Sequence, residues 1–171
     1  MEQVINILLK LDEKTENIRR KYDPYSHKFK PHITLVYPFE FKDQNVLINH
    51  IKNSIANVKS FKISLEKIGE SYPFVQFIAK EGKKELLFLR KRLNQDILKN
   101  IGEKTPLKYP PHMTIGVIEN KGDFKKKVKE IKMLKPYYRS TIKSIQLITL
   151  DKKMIIKSKR SFRLIWKNKS N

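Results

Sequence analysis

The chain has 171 residues, 39% of them hydrophobic, no cysteine and a formal net charge of +21 at pH 7. That length suits one generous domain with a real core, and the missing cysteines exclude disulfides, thiol catalysis and Cys-ligated metals. The charge favours phosphate-bearing partners, RNA foremost, although lysine richness can also be a habit of a whole proteome.

No apolar run approaches the roughly 18 residues of a membrane span, and no helix pattern pairs a basic face with exposed bulky apolar residues. The opening "MEQVINILLKLD" carries Glu2 and no small-residue cleavage site. It reads as a buried strand over Val4–Leu11, not a signal peptide. A cytoplasmic protein is expected, with no membrane partner. "DEKTENIRRKYD" follows, acids first and bases last, as the helix dipole favours, and Asp23-Pro24 ends it. "HITLVYPF" is a strand. Leu47, Ile51, Ile55 and Val58 recur at helical spacing. "FKISLEKIG" alternates, with Phe61, Ile63 and Leu65 on one face of a strand.

The order then restarts. "PFVQFIA" is a strand, and Leu86, Leu89, Leu93, Ile97 and Ile101 make one face of a long helix stopped at Gly102. "HMTIGVI" is a strand. Phe124, Val128 and Ile131 mark a lysine-rich helix, "TIKSIQLITL" is an alternating strand, and "MIIK" and "SFRLIWK" finish the chain. A β-α-β-α-β order therefore occurs twice. The predicted fold is α+β and bilobal, with mainly antiparallel sheets around a central cleft. One domain spans 1–171, with approximate units 3–70 and 71–150 and C-terminal strands over 153–167. A monomer is favoured.

The middle strand of each unit opens on the same frame, Pro-His-x-Thr-aliphatic: "PHITL" from Pro31 and "PHMTI" from Pro111. Positions i and i+2 of a strand share a face, so His32 projects with Thr34 and His112 with Thr114. Two imidazoles and two hydroxyls around one space suit phosphodiester chemistry. A neutral histidine can take a proton from the attacking oxygen, and a protonated one can give a proton to the leaving oxygen. Threonine hydroxyls can hold the non-bridging oxygens. That chemistry needs no metal or other cofactor. One such motif is a weak signal; two on equivalent strands make a strong one.

The paired motifs "HITL" and "HMTI" on a duplicated α+β chain resemble the two-histidine (2H) phosphoesterases, the superfamily of 2′–5′ RNA ligase-like proteins and cyclic phosphodiesterases. The resemblance implies metal-independent opening of 2′,3′-cyclic phosphates, usually to 2′-phosphomonoesters. It implies that His32 is the general acid, that His112 is the base, and that Thr34 and Thr114 bind the phosphate. Expected partners are RNA ends or nucleotide cyclic phosphates. Two alternatives remain at this level: a non-catalytic RNA-binding module, and a 2′–5′ RNA ligase using the same site.

Other residues carry weaker signals. Tyr37, Phe39 and Tyr109 flank the motifs, and Tyr138 and Arg139 sit in "PYYRS"; each could stack on a base or touch substrate. Lys28 and Lys30 precede His32 and could meet phosphates. His27 reads as a solvated loop residue and His50 as a surface residue of a helix. Asp23 and Glu119 stand isolated and are given no role. Trp166 reads as core.

Overall fold

The computed structural model describes residues 1–99, 101 and 110–165. The elements run β1 (Glu2–Leu8), α1 (Glu13–Tyr22), β2 (His32–Phe39), α2 (Gln44–Ile55), β3 (Phe61–Ser71), β4 (Phe74–Ala79), α3 (Lys83–Leu93), β5 (His112–Val117), α4 (Lys121–Met133), β6 (Tyr138–Ile142), β7 (Ser144–Leu150) and β8 (Ile156–Arg163). The fold is α+β, as the alternation of patterns implies.

Local chemistry sets the helix ends. Asp12 caps α1 by accepting from the Thr15 backbone N–H at 2.9 Å and its hydroxyl at 2.8 Å. Asp43 and Asn120 cap α2 and α4 in the same manner, each satisfying donors a helix start leaves open. α3 instead begins at Gly82, with φ +76, where an added Cβ would meet the Lys62 carbonyl oxygen at 2.5 Å. Only glycine fits such a place comfortably.

All strands pair antiparallel in one sheet, ordered β6-β3-β4-β5-β2-β1-β7-β8. The two motif strands, β2 and β5, meet at its centre. Their ladder has a single registered pair, Ile33 opposite Met113, whereas the outer neighbours pair over most of their lengths. The sheet is continuous but held loosely in the middle. Its four-stranded halves also exchange strands: β3 lies beside β4, and β7 lies beside β1.

The four helices bury one face of the sheet. Ile33, Leu35, Leu65 and Phe77 from the strands and Leu47, Ile51, Leu86 and Leu89 from the helices are all fully buried in one core. Burying each such side chain contributes roughly 1.5–3 kcal/mol. Gly116 lets α1 come close, since the Tyr22 Cβ lies 3.2 Å from where a Gly116 Cβ would stand. A small separate cluster of Val4, Ile148 and Leu150 forms on the opposite, open face.

Three predicted boundaries move. The long helix stops at Leu93, followed by a 3₁₀ turn at Asp96–Leu98. Asn94 caps it by donating to the Leu35 and Arg90 carbonyls, and Asp96 takes φ 50. "TIKSIQLITL" is two strands broken at Lys143, because β6 must pair with β3 and β7 with β1, in opposite halves of the sheet. The last two segments are largely one strand, β8, along β7. Among the described residues, no helix is long and apolar enough to cross a membrane.

Candidate active site

Alternation along β2 buries Ile33 and Leu35 and leaves His32 and Thr34 half-buried on the open face. β5 repeats this with Met113 and Ile115 inward and His112 and Thr114 outward. With Ile33 opposite Met113, the antiparallel register sets His32 across from Thr114 and Thr34 across from His112. In a regular antiparallel ladder directly opposite Cβ atoms lie about 4.5–5.5 Å apart and diagonal neighbours about 7–8 Å; the two histidines hold a diagonal position, near enough for the charge of His32 to lower the titration of His112. His32 and Thr114 line one pocket together.

The two imidazoles are held alike. His32 Nδ1 donates to the Lys30 carbonyl at 2.8 Å. His112 Nδ1 donates to the Pro110 carbonyl at 2.7 Å. A carbonyl can only accept, so Nδ1 carries the proton in both neutral rings and Nε2 is the acceptor nitrogen of each. The matching Pro-His frames produce this: each carbonyl lies two residues before its histidine.

Both histidines titrate below the ordinary 6.5. For His32 the main cause is burial, which disfavours the charged ring; Arg19 adds to the lowering, while the Lys30 carbonyl and the Asp23 carboxylate oppose it. For His112 burial again dominates, the Pro110 carbonyl opposes it, and the charges of His32 and Arg90 both push down.

Residues that sequence reasoning passed over support this site. Arg19 is buried and reaches from α1 into the 23–29 loop. It pairs with Asp23 at 3.2 Å and donates to the Ser26 carbonyl at 3.4 Å and to that of Phe29. Asp23, isolated in the sequence, is 4% exposed and is the carboxylate of that pair. Glu119 also has a partner: it accepts from the Tyr25 hydroxyl at 2.7 Å. A signal for Arg19 was present, since Thr15, Ile18, Arg19 and Tyr22 fall at the i, i+3, i+4, i+7 spacing of a buried stripe.

The weaker expectations divide. Tyr37 and Lys30 line a pocket with His32 and Thr34, and the Arg90 guanidinium lies 5.2 Å from the Tyr37 ring centre. Phe39 and Tyr138 are core residues, 3% and 5% exposed, so neither ring is free to stack on a base. Arg139 sits on β6, separated from β5 by β3 and β4, and pairs with Glu81 at 3.1 Å; it is not a cleft residue. His50 is buried, not a surface residue: it faces α3, with Nε2 3.0 Å from the Leu93 carbonyl. His27 and Lys28 are exposed. Tyr109, Gly102 and Trp166 lie outside the described residues.

The sheet and its paired His-x-Thr strands are those of the two-histidine phosphoesterases. The chain belongs to the 2′-5′ RNA ligase superfamily, whose family model matches residues 9–153. A Bacillus cereus (strain B4264) protein named "Putative phosphoesterase" is 25% identical over 142 residues, covering 81% of each chain. Among solved structures, TT0787 of Thermus thermophilus superposes with a TM-score of 0.62 at 14% identity, covering 96% of this chain and 99% of that one. Kluyveromyces marxianus Usb1 with uridine monophosphate gives 0.60 at 12%, covering 95% and 98%. E. coli LigT complexed with 3′-AMP gives 0.59 at 13%, covering 95% and 94%.

Proposed function

We propose that the protein is a metal-independent phosphodiesterase that opens 2′,3′-cyclic phosphates, or cleaves 2′–5′ linkages, of RNA or nucleotides. The observation that carries this reading is the pair of Nδ1-anchored imidazoles on one open face, each across from the other motif's threonine. His112 Nε2 takes a proton from water, and the water oxygen attacks phosphorus. The bond from phosphorus to the 3′-oxygen breaks, and that oxygen takes the proton from His32 Nε2. A 2′-phosphate results. Thr34 and Thr114 donate to the non-bridging oxygens, and solvent resets both imidazoles.

The charges support one half of this division of labour. His112 feels the cations of His32 and Arg90, which favour the neutral ring that acts as base. At His32 the Arg19 cation outweighs the opposing Asp23 carboxylate, so its role as acid rests on the superfamily resemblance. The net charge of +21 would draw RNA ends to the cleft. The superfamily match and the phosphoesterase name of the Bacillus relative agree with the reaction class.

The test supplies nucleoside 2′,3′-cyclic phosphates and a 2′–5′ dinucleotide to the protein in chelator and identifies the monophosphate isomer. Formation of 2′-monophosphate is expected. No turnover of any of these, or turnover only after a divalent metal is restored, would overturn the reading.

A further inference from the structure

The open face carries a cation that the reaction does not use. Beside His32 and Thr34 lies a pocket of about 250 Å³, walled mainly by Leu8, Phe29, Ile148, Leu150 and Met154. Two lysines line it as well, Lys30 just before the first motif and Lys159 from β8, and no carboxylate does. Both lysines are exposed. Lys157, also on β8, pairs with Asp151 at 3.1 Å, whereas among the described residues neither Lys30 nor Lys159 pairs with a carboxylate.

The register fixes where Lys159 stands. It lies opposite Ile148 on β7, which lies opposite Val4 on β1, and Val4, Ile148 and Leu150 form the apolar cluster of the open face. Directly opposite residues share a face, so Lys159 projects on the side of the sheet that carries both histidines. From β2 through β1 and β7 to β8 is about 14 Å at the usual strand spacing. Thr34, Asn6 and Gln146 share one transverse row, and Ile148 with Lys159 stands one pleat further along, about 7 Å. The long lysine stem, which can lie on apolar surface with its ammonium in water, shortens that separation. A phosphate site at Thr34, an apolar hollow beside it and an ammonium beyond match one nucleoside with a phosphate at each end. The hollow is below the roughly 300–1,000 Å³ of drug-sized sites, so it takes one ring system.

We infer that Lys159 is a specificity-determining residue that binds the phosphate on the 5′ side of the nucleoside whose 2′,3′-cyclic phosphate is opened. The inference rests on the phosphodiesterase reading above and narrows its substrate class: a nucleotide phosphorylated on both sides is favoured over a nucleoside 2′,3′-cyclic phosphate alone. An apolar hollow bounded by lysines, with no acid in its lining, offers a neutral 5′-hydroxyl little. A 5′-phosphate gains a charge-assisted contact there. Lys159 touches no reacting atom; it selects substrate and moves no proton.

The test measures binding by calorimetry, so it does not depend on turnover. The probes are adenosine 3′-monophosphate, adenosine 3′,5′-bisphosphate and a diadenosine dinucleotide ending in a 3′-phosphate. The wild-type chain is expected to bind the bisphosphate about tenfold or more tightly than the monophosphate, as one hydrogen bond to a charged group allows. Lys159→Gln should cut that ratio below about threefold, with the loss falling on the bisphosphate, and Lys159→Arg should keep the ratio. Arg160→Gln removes the same charge from the next residue, which lies opposite the core residue Leu147 and so faces the other way; it should leave the ratio unchanged. A dinucleotide that gains as much as the bisphosphate identifies the group as a chain phosphate, and a gain confined to the bisphosphate identifies a terminal one; either supports the inference. Equal affinity for monophosphate and bisphosphate, no binding of any nucleotide, a ratio that survives Lys159→Gln, or one that falls equally in Arg160→Gln would overturn it. Turnover of cyclic phosphates without preference for a 5′-phosphate would sink this inference and leave the reaction standing. Tighter binding of the bisphosphate, lost in Lys159→Gln, without turnover would do the reverse.

Discussion

Arg19→Met is a sharp test of how the loop before His32 is built. The guanidinium lies 3.2 Å from the Asp23 carboxylate, and the two side chains are only 3% and 5% exposed. It also donates to the carbonyls of Ser26 and Phe29, and Lys30, next along the chain, holds His32 Nδ1. Methionine keeps most of the bulk but leaves Asp23 as a buried charge without its cation. Removing one partner of a buried pair costs about 3–5 kcal/mol. Changing Asp23→Asn as well removes the stranded charge, so the double variant should recover about 0.5–3 kcal/mol, the range of coupling found within one network. Urea unfolding at pH 7.5, with slopes checked for equality, measures both. The reasoning fails if Arg19→Met alone costs less than about 1 kcal/mol, or if the double variant is no more stable than the single.

Other predictions concern the site itself. Because both histidines titrate below 6.5 in the free protein, the bell-shaped profile of kcat/KM should peak below pH 6.5 and fall about tenfold per unit above it as the acid loses its proton; a peak above pH 7.5 would contradict this. The same lowering means the folded chain binds fewer protons than the unfolded chain, so stability from these groups is full above pH 6.5 and lost as pH falls through their folded values. Melting temperature should drop between pH 7 and 5, and His32→Gln with His112→Gln should flatten that slope. Thr34→Val and Thr114→Val keep shape and remove a donor; each should lower kcat by about 10²–10³ with little change in stability, measured by steady-state kinetics beside thermal melting.

Much of the fold was readable because local patterns and tertiary packing agree. The alternation of "HITLV" and "HMTIG" sets which side chains face the open side, and a strand allows few other arrangements. What periodicity cannot carry is pairing. Nothing local in "FKISLEKIG" says that β3 leaves the strands before it and lies beside β4, and Lys143 gives no sign that the chain changes partners there. Val36 and Tyr37 escape the count for a related reason: two successive inward residues, Leu35 and Val36, occur where the β1–β2 ladder shifts register, so counting forward from Thr34 would turn Val36 outward and Tyr37 inward, whereas Val36 is buried and Tyr37 lies with His32 and Thr34. His50 escapes it because its helix buries a polar edge against the Leu93 carbonyl, a contact made by a residue far along the chain.

The central claim is that His32 and His112 act as one acid–base pair on one phosphate. The most direct measurement is kcat/KM for a nucleoside 2′,3′-cyclic phosphate with His32→Ala, His112→Ala and the double variant, each verified as folded. Each single change should cost about 10²–10⁴, and the double should fall little further, since groups acting as a unit are not additive. Either single variant retaining more than about a tenth of wild-type activity would contradict the claim, because general acid or base catalysis contributes at least about 10².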